Sequence, residues 1–312
     1  MRTSPRLLIG AAIIIAFTIA MGLIGWLVVD GSSDRIVRTG DGRAISVGES
    51  WPGDLDACVS DVDISVLPNC YREPLDRGSF IKQPWSTYST LAFCIVGLII
   101  LAMADRSRSR EETQTPGAIA PDPWLGFVAL FMGPGSALFH GTLTTWGGWG
   151  DVLSMYALLA CIITCDLVRL RQRPEQFARW FVAFFAGAAV LNAVSGDANT
   201  YVFIAMGVGT GIFALVSFRR LLPRLGYSRS GPRLGLAYLL LFTAIVPWLL
   251  SRPAAGDPID IPFHAAWHVL SAAFVLSYWW YLRSERRLPV SSEAASGTQD
   301  TWPAAPTSPS SV

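Results

Sequence analysis

Apolar residues fall in long, nearly charge-free blocks along this chain, with polar residues gathered between them. The first block covers residues 7–29, contains no charge, and follows Arg2 and Arg6. Residues 30–84 are polar and rich in Asp, Gly and Pro, which predicts an extramembrane segment with little regular structure. Seven further apolar stretches follow, at residues 85–104, 124–143, 151–168, 180–194, 201–218, 234–250 and 261–282. A helix needs about 20 residues to cross a bilayer, and all seven are near that length, 180–194 being the shortest. Only helices satisfy their own backbone hydrogen bonds across such runs. The pattern therefore predicts an all-α polytopic membrane protein: a seven-helix core bundle over residues 85–283, preceded by one extra N-terminal transmembrane helix. For the first block a cleaved secretory signal is the alternative. The apolar region of such a signal usually spans only about 7–15 residues, and no clear small-residue cleavage site follows here, so a retained helix is favoured. Residues 284–312 are expected to form a disordered tail, being rich in Ser, Pro, Ala and Thr from Ser291 onwards.

Charge adds direction to this picture. Arg106, Arg108 and Arg110 fall in one inter-span stretch; Arg169, Arg171, Arg173 and Arg179 in a second; Arg219, Arg220, Arg224, Arg229 and Arg233 in a third. Arg283, Arg286 and Arg287 follow the last span, whereas the alternate loops at 144–150, 195–200 and 251–260 hold only Arg252. Basic residues collect on the cytoplasmic side, so this alternation predicts a multi-pass protein of the plasma (inner) membrane with both termini in the cytoplasm. Arg35 and Arg38, just after the first span, run against the pattern. The composition agrees with a membrane protein: 52% hydrophobic and 15% charged, with a mean hydropathy of +0.41, against about 25% charged in an ordinary soluble domain. The formal net charge of +1 gives no reason to expect a nucleic-acid partner. Among the five cysteines, Cys94, Cys161 and Cys165 lie in apolar stretches and read as reduced packing residues. Cys58 and Cys70 lie in the polar segment, where either a disulfide or two free thiols fit.

The candidate chemistry rests on three histidines, His140, His264 and His268, all within apolar spans. Ionisable side chains are costly there and mark function by default. His264 and His268 are four apart and share a helix face, as do Ser136 and His140 on another helix. Asp151 stands at the start of the next span, after a short Gly/Trp-rich turn. The predicted topology brings all five to the non-cytoplasmic side. Taken singly, each has a plainer reading: a packing histidine, a serine bonded back to its own helix, an aspartate capping a helix. Their shared depth favours a site. Three neutral imidazoles suit zinc and leave one coordination position open. Zinc lowers the pKa of bound water toward ~7, a nearby carboxylate can take the proton, and a hydroxyl can stabilise an oxyanion.

These motifs resemble those of the alkaline ceramidase family, within the wider group that includes the progestin and adiponectin receptors. Residues 135–140, Gly-Ser-Ala-Leu-Phe-His, with Asp151 downstream, resemble the family's Ser-x-x-x-His…Asp signature, and His264-Ala-Ala-Trp-His268 its last-helix His-x-x-x-His. The resemblance covers about two thirds of the chain. It implies zinc ligation by His140, His264 and His268, with Asp151 orienting or deprotonating the water and Ser136 supporting the oxyanion. It implies a membrane lipid substrate, ceramide or a related amide lipid, cleaved to a sphingoid base and a fatty acid. Residues 83–89 resemble the start of the family's first core helix, with Ser86 and Thr90 in place of asparagines. Eukaryotic members bind calcium just before that helix. Here the spacing of Glu73 and Asp76 departs from the pattern and Gln83 stands where an acid is expected, which weighs against calcium. A receptor or sensor of the same superfamily with a structural zinc is the second reading. Haem binding ranks lower, because two histidines on one face suit a shared small ion. A transporter ranks lower too, because few charges line the spans.

Overall fold

The computed structural model describes residues 12, 35–38, 44–47, 71, 73, 81–111, 122–142, 145–171, 173–194, 199–225, 227–251 and 261–286. The expected N-terminal span lies outside these residues except for Ala12, which is helical. Cys58, Cys70, Asp76 and the tail beyond Arg286 also lie outside them. Within the polar segment, strand β1 (Arg35–Arg38) pairs antiparallel with β2 (Ala44–Val47), Arg35 opposite Val47 and Arg38 opposite Ala44. These two four-residue strands are the only strands among the described residues of that segment. Ile36, Val37, Ile45 and Val47 are β-branched residues, which suit a pleated strand.

The rest of the described chain is helical: α1 (Pro84–Ser89), α2 (Leu91–Glu111), α3 (Asp122–Thr142), α4 (Thr145–Arg171), α5 (Phe177–Val194, after a short 3-10 turn at Pro174–Gln176), α6 (Asn199–Leu225), α7 (Tyr227–Leu250) and α8 (Phe263–Arg286). The two pieces α1 and α2 meet at Thr90 and act as one span, Pro84–Ala104. Six of the helical segments are long and apolar enough to cross a membrane. The seventh rod, α8, has 24 residues, about 36 Å of helix. Its histidines, serines and tyrosines make it less apolar, and much of it is buried inside the bundle. The protein is thus an all-α polytopic membrane protein, with the seven predicted core helices in the predicted order.

Helix ends differ from the sequence reading in several places; α2, for one, runs on to Glu111 through Arg106, Arg108 and Arg110. The Gly/Trp-rich stretch expected to be a turn belongs largely to α4, which begins at Thr145. Glycines disfavour helix intrinsically, but here they let α4 lie against α3: a Cβ on Gly150 would meet Leu138 Cδ2 at 2.9 Å. The arginine-rich stretch 219–233 is also mostly helix. Arg219, Arg220 and Arg224 ride on the end of α6, and Arg229 and Arg233 on the start of α7. Basic side chains extending past an apolar band can reach the interface with their charged ends, so the helix need not stop where the apolar run does.

The core is centred on α4. Ala157, Cys161, Ile162, Cys165 and Val168 pack among Phe93 and Ile100 of α2, Leu125 and Ala129 of α3, and Val275 and Tyr278 of α8. Cys94, Cys161 and Cys165 are buried and free, as expected of packing residues. By contrast α5, α6 and α7 present exposed apolar side chains such as Val190, Leu191, Ile204, Val208, Ile212, Leu239, Phe242 and Val246. In a membrane protein that surface faces lipid, where the apolar side chains carry no cost.

Two glycines set how closely α2, α3 and α4 approach. A Cβ on Gly97 would stand 2.7 Å from Leu130 N and 2.8 Å from Gly126 O; one on Gly135 would stand 2.6 Å from Ser154 Cβ and 2.9 Å from Gly150 O. Both are backbone-level contacts that no larger residue fits. Pro134 precedes Gly135 inside α3 and has no N–H to offer the preceding turn.

Candidate metal centre

The five residues singled out by spacing converge at one end of the bundle. Ser136 and His140 lie one turn apart near the end of α3, Asp151 lies in the second turn of α4, and His264 and His268 lie one turn apart at the start of α8. All five are buried, Ser136 and His140 completely. The imidazole ring centroids stand 4.7 Å apart for His140 and His264, 5.1 Å for His140 and His268, and 4.5 Å for His264 and His268. Their available nitrogens all lie within 4.8 Å of one another, and together they can hold a metal ion.

Hydrogen bonds at the far side of each ring decide which nitrogen faces inward. His140 Nδ1 lies 2.8 Å from Gln83 Oε1, a pure acceptor, so Nδ1 carries the proton. His268 Nδ1 lies 3.1 Å from the main-chain oxygen of Ser86 and 2.8 Å from Ser89 Oγ. The carbonyl can only accept, and Ser89 spends its own hydrogen on that same carbonyl at 2.8 Å. His264 Nδ1 lies 3.4 Å from Ser251 Oγ, whose hydrogen goes to Trp248 O at 2.7 Å. In all three rings Nδ1 is the donor and Nε2 keeps its lone pair for the shared centre. Such outer hydrogen bonds orient metal-binding imidazoles and fix their tautomer.

The polar atoms left over fit an ion. His140 Nε2 and Asp151 Oδ1 are buried and make no hydrogen bond among the described residues. Ser136 donates to Asp151 and lies 3.4 Å from His268 Nε2. It therefore stands between the carboxylate and the histidines. The capping role open to Asp151 from sequence falls away, because it is the seventh residue of α4 and an N-cap precedes the first. The close approach permitted by Gly135 places Ser136 beside Asp151.

Sequence reasoning missed the surrounding shell. Gln83 entered it as the first residue of the 83–89 resemblance and as an unsuitable calcium ligand, yet its side chain orients His140 and its N–H reaches His140 O at 3.0 Å. Ser89 and Ser251 were not singled out at all. Glu73 faces the start of α1, not a cation: its oxygens accept from Trp85 N at 2.7 Å, Ser86 N at 3.0 Å and Ser86 Oγ. Burial raises its pKa, and these donors oppose the shift. Tyr71 stacks on His264 with centroids 3.4 Å apart. Among the described residues, the three histidines are the one cluster suited to a metal.

A second polar group occupies the opposite end of the bundle. Asp166 pairs with Arg169 at 2.7 Å and accepts from Tyr278 Oη at 2.8 Å, while Arg169 reaches Tyr281 Oη at 3.2 Å. Asp166 is fully buried in α4. A charge inside an apolar run was the signal that could have found it.

No family model and no curated protein matches this chain.

Proposed function

We propose that this protein is a zinc-dependent hydrolase of membrane lipid amides, with ceramide or a closely related amide lipid as substrate. The observation that carries the reading is the buried histidine cluster: ligand nitrogens of His140, His264 and His268 lie within 4.8 Å of one another, and the nearby Asp151 carboxylate has an Oδ1 without a hydrogen-bond donor among the described residues. His140, His264 and His268 would hold the ion. An all-imidazole donor set suits zinc, and three protein ligands are characteristic of a catalytic site, where a structural site closes with four. Zinc supplies Lewis acidity and acidifies water. Asp151 accepts the proton at Oδ1 as general base while Ser136 holds its other oxygen. To support a developing oxyanion, the Ser136 hydroxyl would turn its one hydrogen from Asp151 to that oxygen. The ceramide class comes from the motif resemblance, and the buried position between apolar helices suits a substrate drawn from the bilayer. The arginine distribution puts the site on the extracytoplasmic side of the plasma (inner) membrane, with both termini in the cytoplasm.

The test is made on the purified full chain in detergent. Elemental analysis should find one zinc per chain, and mass spectrometry should find sphingoid base and fatty acid released from ceramide. Chelation should stop the release and added zinc restore it. A zinc-loaded, folded protein that cleaves none of a panel of amide lipids would overturn the reading.

A further inference from the structure

Helix α1 has only six residues, and its first N–H groups have no partners within it. The residue before it, Gln83, makes no side-chain cap, because its amide oxygen is committed to His140. The cap comes instead from Glu73, twelve residues upstream, which accepts from Trp85 N and Ser86 N. The same carboxylate accepts from Ser86 Oγ, so Ser86 is held by two groups at once. On the other side of that residue, the Ser86 carbonyl accepts from His268 Nδ1 at 3.1 Å. Glu73, Ser86 and His268 therefore form a continuous chain of hydrogen bonds from the extramembrane segment to the metal centre. All three are buried.

We propose that Glu73 is a positioning residue of the metal centre: by fixing Ser86 it sets the orientation of the His268 ring. The proposal rests on the reading of the three histidines as metal ligands. A carboxylate accepting several donors holds them more firmly than a neutral acceptor does. Ser86 is thereby kept where its carbonyl meets Nδ1, and Nε2 is aimed at the shared centre. Without Glu73, α1 has no cap among the described residues and the Ser86 carbonyl is free to shift.

The experiment uses the full chain in detergent with Zn²⁺ and Co²⁺ alone as probes, so it does not depend on turnover. Glu73→Ala should lower zinc affinity by about 10–100-fold, the usual cost of losing an outer partner of a metal ligand. It should also change the visible absorption of the Co²⁺-loaded protein. Glu73→Gln keeps one acceptor oxygen and should show a smaller fall in affinity. Tyr278→Phe, which loosens the opposite end of the same bundle, should leave both readouts at wild type. A folded Glu73→Ala protein with wild-type affinity and spectrum overturns the proposal, as does an equal loss in Tyr278→Phe. If Glu73→Ala does not fold, wild-type affinity in Glu73→Gln overturns it. Should the wild-type chain itself take up no zinc, the metal-centre reading fails and the proposal with it. Zinc in the wild type with none of these effects removes the proposal alone.

Discussion

Asp151 has one carboxylate oxygen tied to Ser136 and one with no donor among the described residues, which is the arrangement a general base needs. Asp151→Asn should keep the metal and lose about 10²–10⁴-fold of the hydrolysis rate, because the amide fills the same space without taking a proton. Ser136→Ala should also keep the metal, with a loss on the order of 10-fold to 10³-fold. Both are read from initial rates on samples matched for zinc content. Since Asp151 sits past the start of α4, a wild-type rate in Asp151→Asn would take it out of the chemistry. The double variant His264→Ala/His268→Ala leaves one imidazole and should lose stoichiometric zinc; full occupancy by elemental analysis would refute the ligand assignment. The convergence of these five residues was legible because four-residue spacing marks Ser136 with His140 and His264 with His268, and Asp151 stands out as a carboxylate at the start of an apolar span. Gln83, Ser251 and Glu73 were not. Gln83 meets a histidine 57 positions away, Ser251 reaches His264 across an inter-helix connection, and Glu73 acts through a main-chain cap. No periodicity announces a partner that only the folded bundle brings close.

At the scale of helices, the same sequence features placed the spans well and their ends less well. Apolar length identifies a span, but a helix continues for as long as its backbone is paired, and so α6 and α7 carry arginines on their outer turns. The glycines before Asp151 read locally as a turn. Only contact with α3 shows that they serve a helix pressed close to its neighbour. Gly135→Ala tests that closeness. Its Cβ would fall 2.6 Å from Ser154 Cβ, so α3 and α4 must part. The expected cost is about 1–3 kcal/mol of stability, seen as earlier thermal unfolding in detergent. With Ser136 displaced from Asp151, a rate loss on the order of 10²-fold should accompany it. Asp166→Ala probes the other end of α4. It leaves Arg169 buried without its carboxylate and should cost about 3–5 kcal/mol, with zinc affinity in the surviving folded fraction unchanged.

At the scale of the whole molecule, orientation is the property still to be measured. Cysteine-labelling or tag accessibility should place both termini on the cytoplasmic face; opposite sidedness would remove the eight-span arrangement while leaving the seven-helix core intact. What the fold adds concerns mechanics. Helix α8 is fastened twice: at its start by the hydrogen bonds to His264 and His268, and near its end by Tyr278 and Tyr281 on Asp166 and Arg169. Helix α4 shares the second fastening through Asp166. The two anchor points on α8, from His268 to Tyr278, are about 15 Å apart along the axis. A rod clamped at both ends can neither slide nor tilt without releasing one clamp. The compliance of the bundle therefore belongs to α5 and α6, whose outward faces touch mainly lipid. A lipid drawn into the bundle, as proposed, would meet in α8 a beam that is held at both ends.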